Sequence, residues 1–133
     1  MLEGGCHCGA VRYRIEGEVM HAALCHCGDC RRHAGAPVVG WTMMRREQLS
    51  FSGEVVTYAS SEHGRRQFCP RCGTGLFFVN EEALPGLVDV QLATLDDAEA
   101  LPPQAHIQVA ERLGWMKTAG ALPEYERFPP GAA

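Results

Sequence analysis

Lysine is almost missing from this chain: of its 12 basic residues only Lys117 is a lysine, and 16 acidic residues leave a formal charge of −4. Without a basic excess there is little to displace phosphate counterions, so nucleic acid is not an expected partner. No apolar run approaches the ~18 residues of a membrane-spanning helix, and Met1 is followed by neither a basic segment nor an apolar stretch. Membrane and export readings therefore give way to an expected cytoplasmic protein. Long amphipathic helical periods, low-complexity tracts and repeats beyond two Cys-x-Cys pairs are also lacking. With 46% hydrophobic and only 21% charged residues, burial offsets chain entropy. One domain spanning residues 1–133 is expected.

Cysteine, by contrast, is abundant, at positions 6, 8, 25, 27, 30, 69 and 72. An odd number in a reducing compartment points to metal rather than to a disulfide framework. Cys69-Pro70-Arg71-Cys72-Gly73 has the spacing of a zinc knuckle, in which a two-residue spacer turns both sulfurs onto one ion and Gly73 relieves the turn. Cys6-His7-Cys8 offers a second close pair, read as an extended strand with both side chains on one side. Together the four sulfurs make a closed tetrahedral site that ties residue 6 to residue 72 and contributes folding free energy.

Cys25, Cys27 and Cys30 remain, three thiols with no fourth cysteine. Three protein ligands and an open position are the usual arrangement of a catalytic zinc. Such an ion polarises a carbonyl, lowers the pKa of water, or holds a substrate thiol as thiolate. The competing reading is a second inert site closed by His26, His33 or His21. His26 alternates away from its flanking cysteines, whereas His33 lies one helical turn beyond Cys30 if residues 28 to 34 are helical. Oxidation of Cys27 and Cys30 after metal loss is a third reading.

Residues 1 to 72 hold nine arginines against seven acidic residues, while residues 73 to 133 hold three basic residues against nine acidic ones. Arginine beside thiolates suits a small carboxylate-bearing ligand, although codon usage explains the arginine bias equally well. Arg31, Arg32 and His33 follow the last cluster cysteine as a candidate anion-contacting rim, or as a solvated helical face. Trp41 reads equally as a cleft wall or as core; Phe68 reads as core, Trp115 as the closure of its far end, and His106 as a satisfied structural histidine.

Ala10 to Glu16 alternates with Val11, Tyr13 and Ile15 on one face, as a half-buried strand does. Further strands are expected over residues 19–24, 38–44, 49–51, 55–59, 65–69, 76–79, 87–92 and 106–110. One helical turn at 28–33 stops at Gly35-Ala36-Pro37; Asp96 to Pro103 reads as a loop and Pro123 to Ala133 as a polar tail. Short strands broken by Gly and Pro argue for a mainly β sandwich or folded sheet clasped by the closed zinc site.

Gly5-Cys6-His7-Cys8-Gly9, then Cys25-His26-Cys27-Gly28-Asp29-Cys30-Arg31 with Gly35-Ala36-Pro37, then Phe68-Cys69-Pro70-Arg71-Cys72-Gly73 resemble the glutathione-dependent formaldehyde-activating enzyme family, also called the centromere-protein-V/GFA domain family. His106-Ile107 before Trp115 and the Leu122-Pro123 to Phe128-Pro129 ending are similar to its C-terminal pattern. The resemblance implies an Mss4-like fold of short antiparallel strands and two zinc ions, structural on Cys6, Cys8, Cys69 and Cys72 and catalytic on Cys25, Cys27 and Cys30. It also implies a carbon–sulfur lyase activity that, run in reverse, joins formaldehyde to glutathione as S-(hydroxymethyl)glutathione. A carboxylate of that thiol would then meet Arg31 or Arg32. No general base for such chemistry stands out in the sequence. A zinc-stabilised thiol-binding or interaction module without turnover is the alternative.

Overall fold

The short alternating runs form ten strands and one helix in a computed structural model that describes residues 1–131. In chain order these are β1 (Leu2–Gly5), β2 (Arg12–Ile15), β3 (His21–Cys25), α1 (Gly28–Ala34), β4 (Val39–Arg45), β5 (Leu49–Ser52), β6 (Val56–Ala59), β7 (Gly64–Phe68), β8 (Gly75–Asn80), β9 (Leu87–Gln91) and β10 (Ala105–Ile107). They build two sheets, β1-β2-β5 and β10-β3-β4-β9-β8-β7-β6. The mainly β class holds, with one correction to the expected all-antiparallel pairing: β10 runs parallel to β3, with Ile107 opposite Cys25. A parallel neighbour needs a crossover, which residues 92–104 supply.

Alternation decides which face packs inward. On β2, Tyr13 and Ile15 are buried and Arg12 and Arg14 exposed, and Val11, just ahead of the strand, is also buried. Ala22, Met44, Phe77, Val88 and Val90 of the larger sheet join Val11, Tyr13 and Ile15 in one core, where the Tyr13 and Phe77 rings meet edge-on at 5.7 Å. Residues one step away on the same strands point to the opposite face. There a smaller cluster of Cys25, Cys30, Val39 and Trp41 forms, with Phe78 packed against it. The functional chemistry lies on this second face.

Several boundaries differ from expectation. β1, Leu-Glu-Gly-Gly, has no alternation to announce it; it forms because Gly4 and Gly5 lie against Tyr13 and Val11, where a Cβ would have no room. Cys6-His7-Cys8 is a turn and not an extended strand, since Gly9 N–H donates to Cys6 O at 3.1 Å. The strand expected over 106–110 ends at Ile107 because Gln108 takes a positive φ of 58° and Val109–Glu111 coil into a short 3-10 turn. Phe68 is only half-buried, and Trp115 is exposed and so does not close the core. Of the expected tail, residues 132 and 133 lie outside the described residues. Among the described residues no helix is long and apolar enough to cross a membrane.

Candidate metal centres

The first cluster forms where two turns meet. The turn after β1 carries Cys6 and Cys8, and the turn between β7 and β8 carries Cys69 and Cys72, so the four sulfurs tie the small sheet to the large one. All four lie within 4.8 Å of one another. Cys6 Sγ is 3.6 Å from Cys8 Sγ, and Cys8 Sγ is 3.8 Å from Cys69 Sγ. These separations match the roughly 3.8 Å edge of a tetrahedron with zinc–sulfur bonds near 2.3 Å, and far exceed the ~2.05 Å of a disulfide. Backbone N–H groups aim at the sulfurs, Val11 at Cys6 (3.2 Å) and Arg71 at Cys69 (3.4 Å), as thiolate ligands require. Gly73 turns the knuckle with φ +81°, and its N–H donates to Cys69 O at 2.9 Å. The donor set fits a closed metal site.

The second cluster sits at the junction of β3 and α1. Cys25 ends β3, Cys27 caps α1 by accepting from Cys30 N–H at 3.3 Å, and Cys30 is the one buried residue of the helix. Gly35 stops the helix with φ 66°, one residue beyond the expected end. Their three sulfurs also lie within 4.8 Å of one another, and among the described residues no fourth His, Cys, Asp or Glu donor joins them. The set fits a three-ligand site.

Of the histidines offered as a fourth ligand, His21 lines the same cavity as the three sulfurs without joining them, and the other two go elsewhere. His26 is fully buried with its Nε2 2.8 Å from His106 Nδ1, so alternation does send it away from the cluster and His106 is hydrogen-bonded. His33 turns from Cys30 to stack on Tyr58, with rings 6.0 Å apart and 10° from parallel, and meets Phe68 at 5.8 Å. Burial first, then the charge of Arg66, holds its pKa below the usual value.

Above the three sulfurs opens a cavity of about 400 Å³. Strand register explains its floor: His21, Met43, Asp89, Phe78, Arg66 and Tyr58 stand directly opposite one another across β3, β4, β9, β8, β7 and β6. The first five line the cavity, and Trp41, one turn of the pleat away, gives it an aromatic wall. Trp41 is therefore both core and cleft wall. Ile107, Gln108 and Glu111 close the side beyond β10, where Glu111 accepts from Gly28 N–H at 3.1 Å. Arg31, Arg32 and His33 do not line this cavity. They line an adjoining depression of about 680 Å³ with Tyr58; Asp29 and Ser60 border both spaces.

Two cavity residues were not singled out by sequence reasoning. Arg66 is buried, its guanidinium 4.8 Å above the Phe78 ring centroid, with Nη1 and Nη2 donating to Cys30 Sγ at 3.6 and 3.7 Å and Nε donating to Ser60 Oγ at 3.0 Å. The Cys30 sulfur that accepts from Arg66 also lies within hydrogen-bond distance of Cys25 Sγ, at 3.7 Å. That hydrogen bond first, then Cys27 and the charge of Arg66, brings the Cys30 thiol down to about 5 against the opposing effect of burial. The Cys25 thiol is raised, first by its hydrogen bond with Cys30 and then by burial. Asp89 is buried, and burial followed by the negative charge of Cys30 pushes its carboxyl up to about 7, with Arg66 opposing. A doublet of arginines at 65 and 66 is the only signal that could have pointed to Arg66.

A mainly β chain whose two sheets are joined by a four-sulfur clasp, with a separate three-sulfur group in a cavity, defines a cysteine-rich protein with two candidate metal centres. Residues 1–111 match the family described as glutathione-dependent formaldehyde-activating enzyme, and the chain belongs to that family. It is similar to an uncharacterized lyase of Schizosaccharomyces pombe, 34% identical over 76 residues, covering 57% of this chain and 56% of that protein. It is also similar to a Halomonas elongata protein provisionally named a glutathione-dependent formaldehyde-activating enzyme, 29% identical, covering 88% of this chain and 80% of that one. A crystal structure of a Rhodobacter sphaeroides protein shares the fold with TM-score 0.62 at 23% identity, covering 79% of this chain and 99% of that chain.

Proposed function

We propose that the protein is a zinc-dependent enzyme that joins a glutathione-type thiol to formaldehyde or another small aldehyde and breaks the same carbon–sulfur bond in reverse. The three-sulfur group of Cys25, Cys27 and Cys30 opening on a cavity carries the reading. Zinc held there supplies an open coordination position that keeps a thiol as thiolate, while a second zinc on Cys6, Cys8, Cys69 and Cys72 is structural. The family membership and the names of the relatives support the direction of the chemistry.

In this reading the chain's residues have distinct tasks. Arg66 holds Cys30 in place and offsets the excess negative charge of three thiolates. Trp41 and Phe78 exclude water beside the reacting sulfur, which strengthens every charge interaction there. Arg31 and Arg32 meet the carboxylates of the thiol peptide in the adjoining depression, and His33 and Tyr58 shape its wall. Positioned this way, the peptide presents its sulfur to the aldehyde carbon in one orientation. We read residues 1–133 as a single domain working in a reducing compartment such as the cytoplasm, where all seven cysteines stay available as thiols.

A module without turnover is the second reading, and the lack, among the described residues, of a fourth protein donor at the three-sulfur group disfavours it. Zinc content per chain, with glutathione titrated against a cobalt-substituted sample, separates the two. The enzyme reading expects two ions, retention of the second in His33→Ala, and a thiolate charge-transfer band that shifts with glutathione. It also expects Cys27→Ser to lose the glutathione-dependent rate with folding intact; an unchanged rate sinks it.

A further inference from the structure

Adding a thiol to an aldehyde carbon takes a proton from sulfur and delivers one to oxygen, and the residues assigned so far carry neither. We propose that Asp89 is the general acid–base of this cavity, accepting the thiol proton and returning it to the aldehyde oxygen. This rests on the thiol–aldehyde reading above.

Geometry singles out this residue. Its neighbours Val88 and Val90 enter the core between the sheets, so the pleat turns Asp89 to the opposite face, into the cavity. Its partners across the ladder are Met43 and Phe78, neither able to pair with a carboxylate. Among the described residues no hydrogen bond or ion pair reaches its oxygens, which open onto the cavity although only 8% of the residue is exposed. Arg66 stands one position beyond Phe78 in the same row and already donates to Cys30 and Ser60. A largely buried carboxyl whose oxygens face a cavity and no protein partner is the arrangement found where a reacting proton is exchanged.

The other titratable groups facing this cavity are less well placed. Asp29 and Glu111 are exposed, and Glu111 already accepts from Gly28 N–H. His21 is partly exposed at the far end of the row, on the side away from Arg66. Cys25, Cys27 and Cys30 are committed to the metal group. Asp89, at the centre of the row, also feels the charge of Cys30 and exchanges its proton near neutral pH.

The step balances without an oxidant or a co-reactant. The carboxylate of Asp89 takes the proton of the entering thiol. The sulfur lone pair forms the carbon–sulfur bond, the carbonyl π pair moves to oxygen, and the Asp89 carboxyl protonates that oxygen and is regenerated as carboxylate. The reverse sequence cleaves the adduct.

The test uses zinc-loaded full-length chain and glutathione. Binding is measured calorimetrically at about pH 8 in two buffers of different ionisation enthalpy, so that released protons are counted. The thiolate that enters beside Asp89 raises its carboxyl further, so the wild type is expected to retain the thiol proton, and Asp89→Asn to release about one proton per glutathione bound. Full release by the wild type overturns the proposal, and this arm needs no variant to fold. Carbon-13 exchange spectroscopy between formaldehyde hydrate and S-(hydroxymethyl)glutathione then reads the rate. Asp89→Asn is expected to lose roughly 10²- to 10⁴-fold of the acceleration, with glutathione affinity little changed and Asp89→Glu partly restoring it. A wild type that retains the proton but accelerates no exchange defeats the enzyme reading and leaves Asp89 as the proton acceptor of a thiol-binding cavity. An Asp89→Asn variant that matches the wild type in both arms overturns the proposal and leaves the enzyme reading standing; absence of glutathione binding overturns both.

Discussion

Arg66 on β7 reaches Cys30 on α1, with both terminal guanidinium nitrogens within 3.7 Å of the sulfur. The contact links the floor of the large sheet to α1, and it is a second layer of support behind the three-sulfur group.

Arg66→Met keeps much of the buried length and removes the charge and the fork of donors. Outer-layer partners of metal ligands are worth roughly 10- to 100-fold in affinity, so zinc at the cavity should weaken by about that factor while zinc at the clasp does not change. Competition with a graded series of chelators, counting ions released per chain, resolves the two sites. Arg66→Lys should fall between, since an ammonium restores charge but not the paired donation. Equal loss from both sites counts against a local role for Arg66.

The two cysteine groups should differ in how much stability a serine substitution removes. The clasp joins the turn after β1 to the β7–β8 turn, and zinc binding of this kind contributes on the order of 10–16 kcal/mol in small zinc-dependent folds, comparable to the whole stability of a domain. Cys69→Ser, at a fully buried position, should therefore abolish cooperative thermal unfolding or lower Tm by tens of degrees. Cys27→Ser, at a half-buried cap where a serine hydroxyl can still accept from Cys30 N–H, should change fold stability by less than about 1 kcal/mol and leave one zinc per chain. Calorimetric scans with metal analysis on the same samples check both outcomes.

The contrast between these groups was legible in the sequence because metal ligands come in local pairs whose spacing is set by the turn between them. Gly73 with its positive φ and Cys27 at the cap are local features of the same kind. Arg66 and Asp89 were not legible. Leu87-Val88-Asp89-Val90-Gln91 alternates as an ordinary half-exposed strand does, and nothing in it says that a helix and a cysteine cluster cover the polar side. Alternation assigns residues to a face; register across six strands, including a shift between Gln67 and Phe68, decides which of them share a row. The turn at Cys6–Cys8 and the exposure of Trp115 failed for a related reason, since tertiary contacts outweigh a two-residue pattern.

His26 and His106 fasten the parallel strand β10 onto β3, and with it the segment that carries Ile107, Gln108 and Glu111 into the cavity wall. His106→Ala removes the partner of a fully buried ring and should cost about 1–3 kcal/mol locally. Amide exchange should accelerate across residues 105–111, with little change in the core strands β4 and β9. A uniform increase across the sheet would mean that the histidine pair supports the whole fold and not this wall.

Asp89 should make the protein less stable as pH rises. Its carboxyl titrates at about 7 in the folded chain, above the ~3.9 of an unfolded one, so between these values the folded state binds the additional proton. The stabilising contribution is complete below the unfolded value and is lost as pH rises toward 7. Burial is the first cause of the shift, so the direction holds whether or not a metal neutralises the thiolates. Asp89→Asn has no carboxyl to ionise there, and its stability should exceed that of the wild type by up to about 4 kcal/mol at pH 8, with the gap closing toward pH 4. Denaturant midpoints of both zinc-loaded proteins across this range give the difference directly, since every other titrating group cancels in the comparison. Parallel curves would place Asp89 in contact with water or a cation and remove the burial argument. A widening gap would mean that the chain keeps a carboxylate where an amide is more stable, as sites shaped for chemistry rather than for folding do.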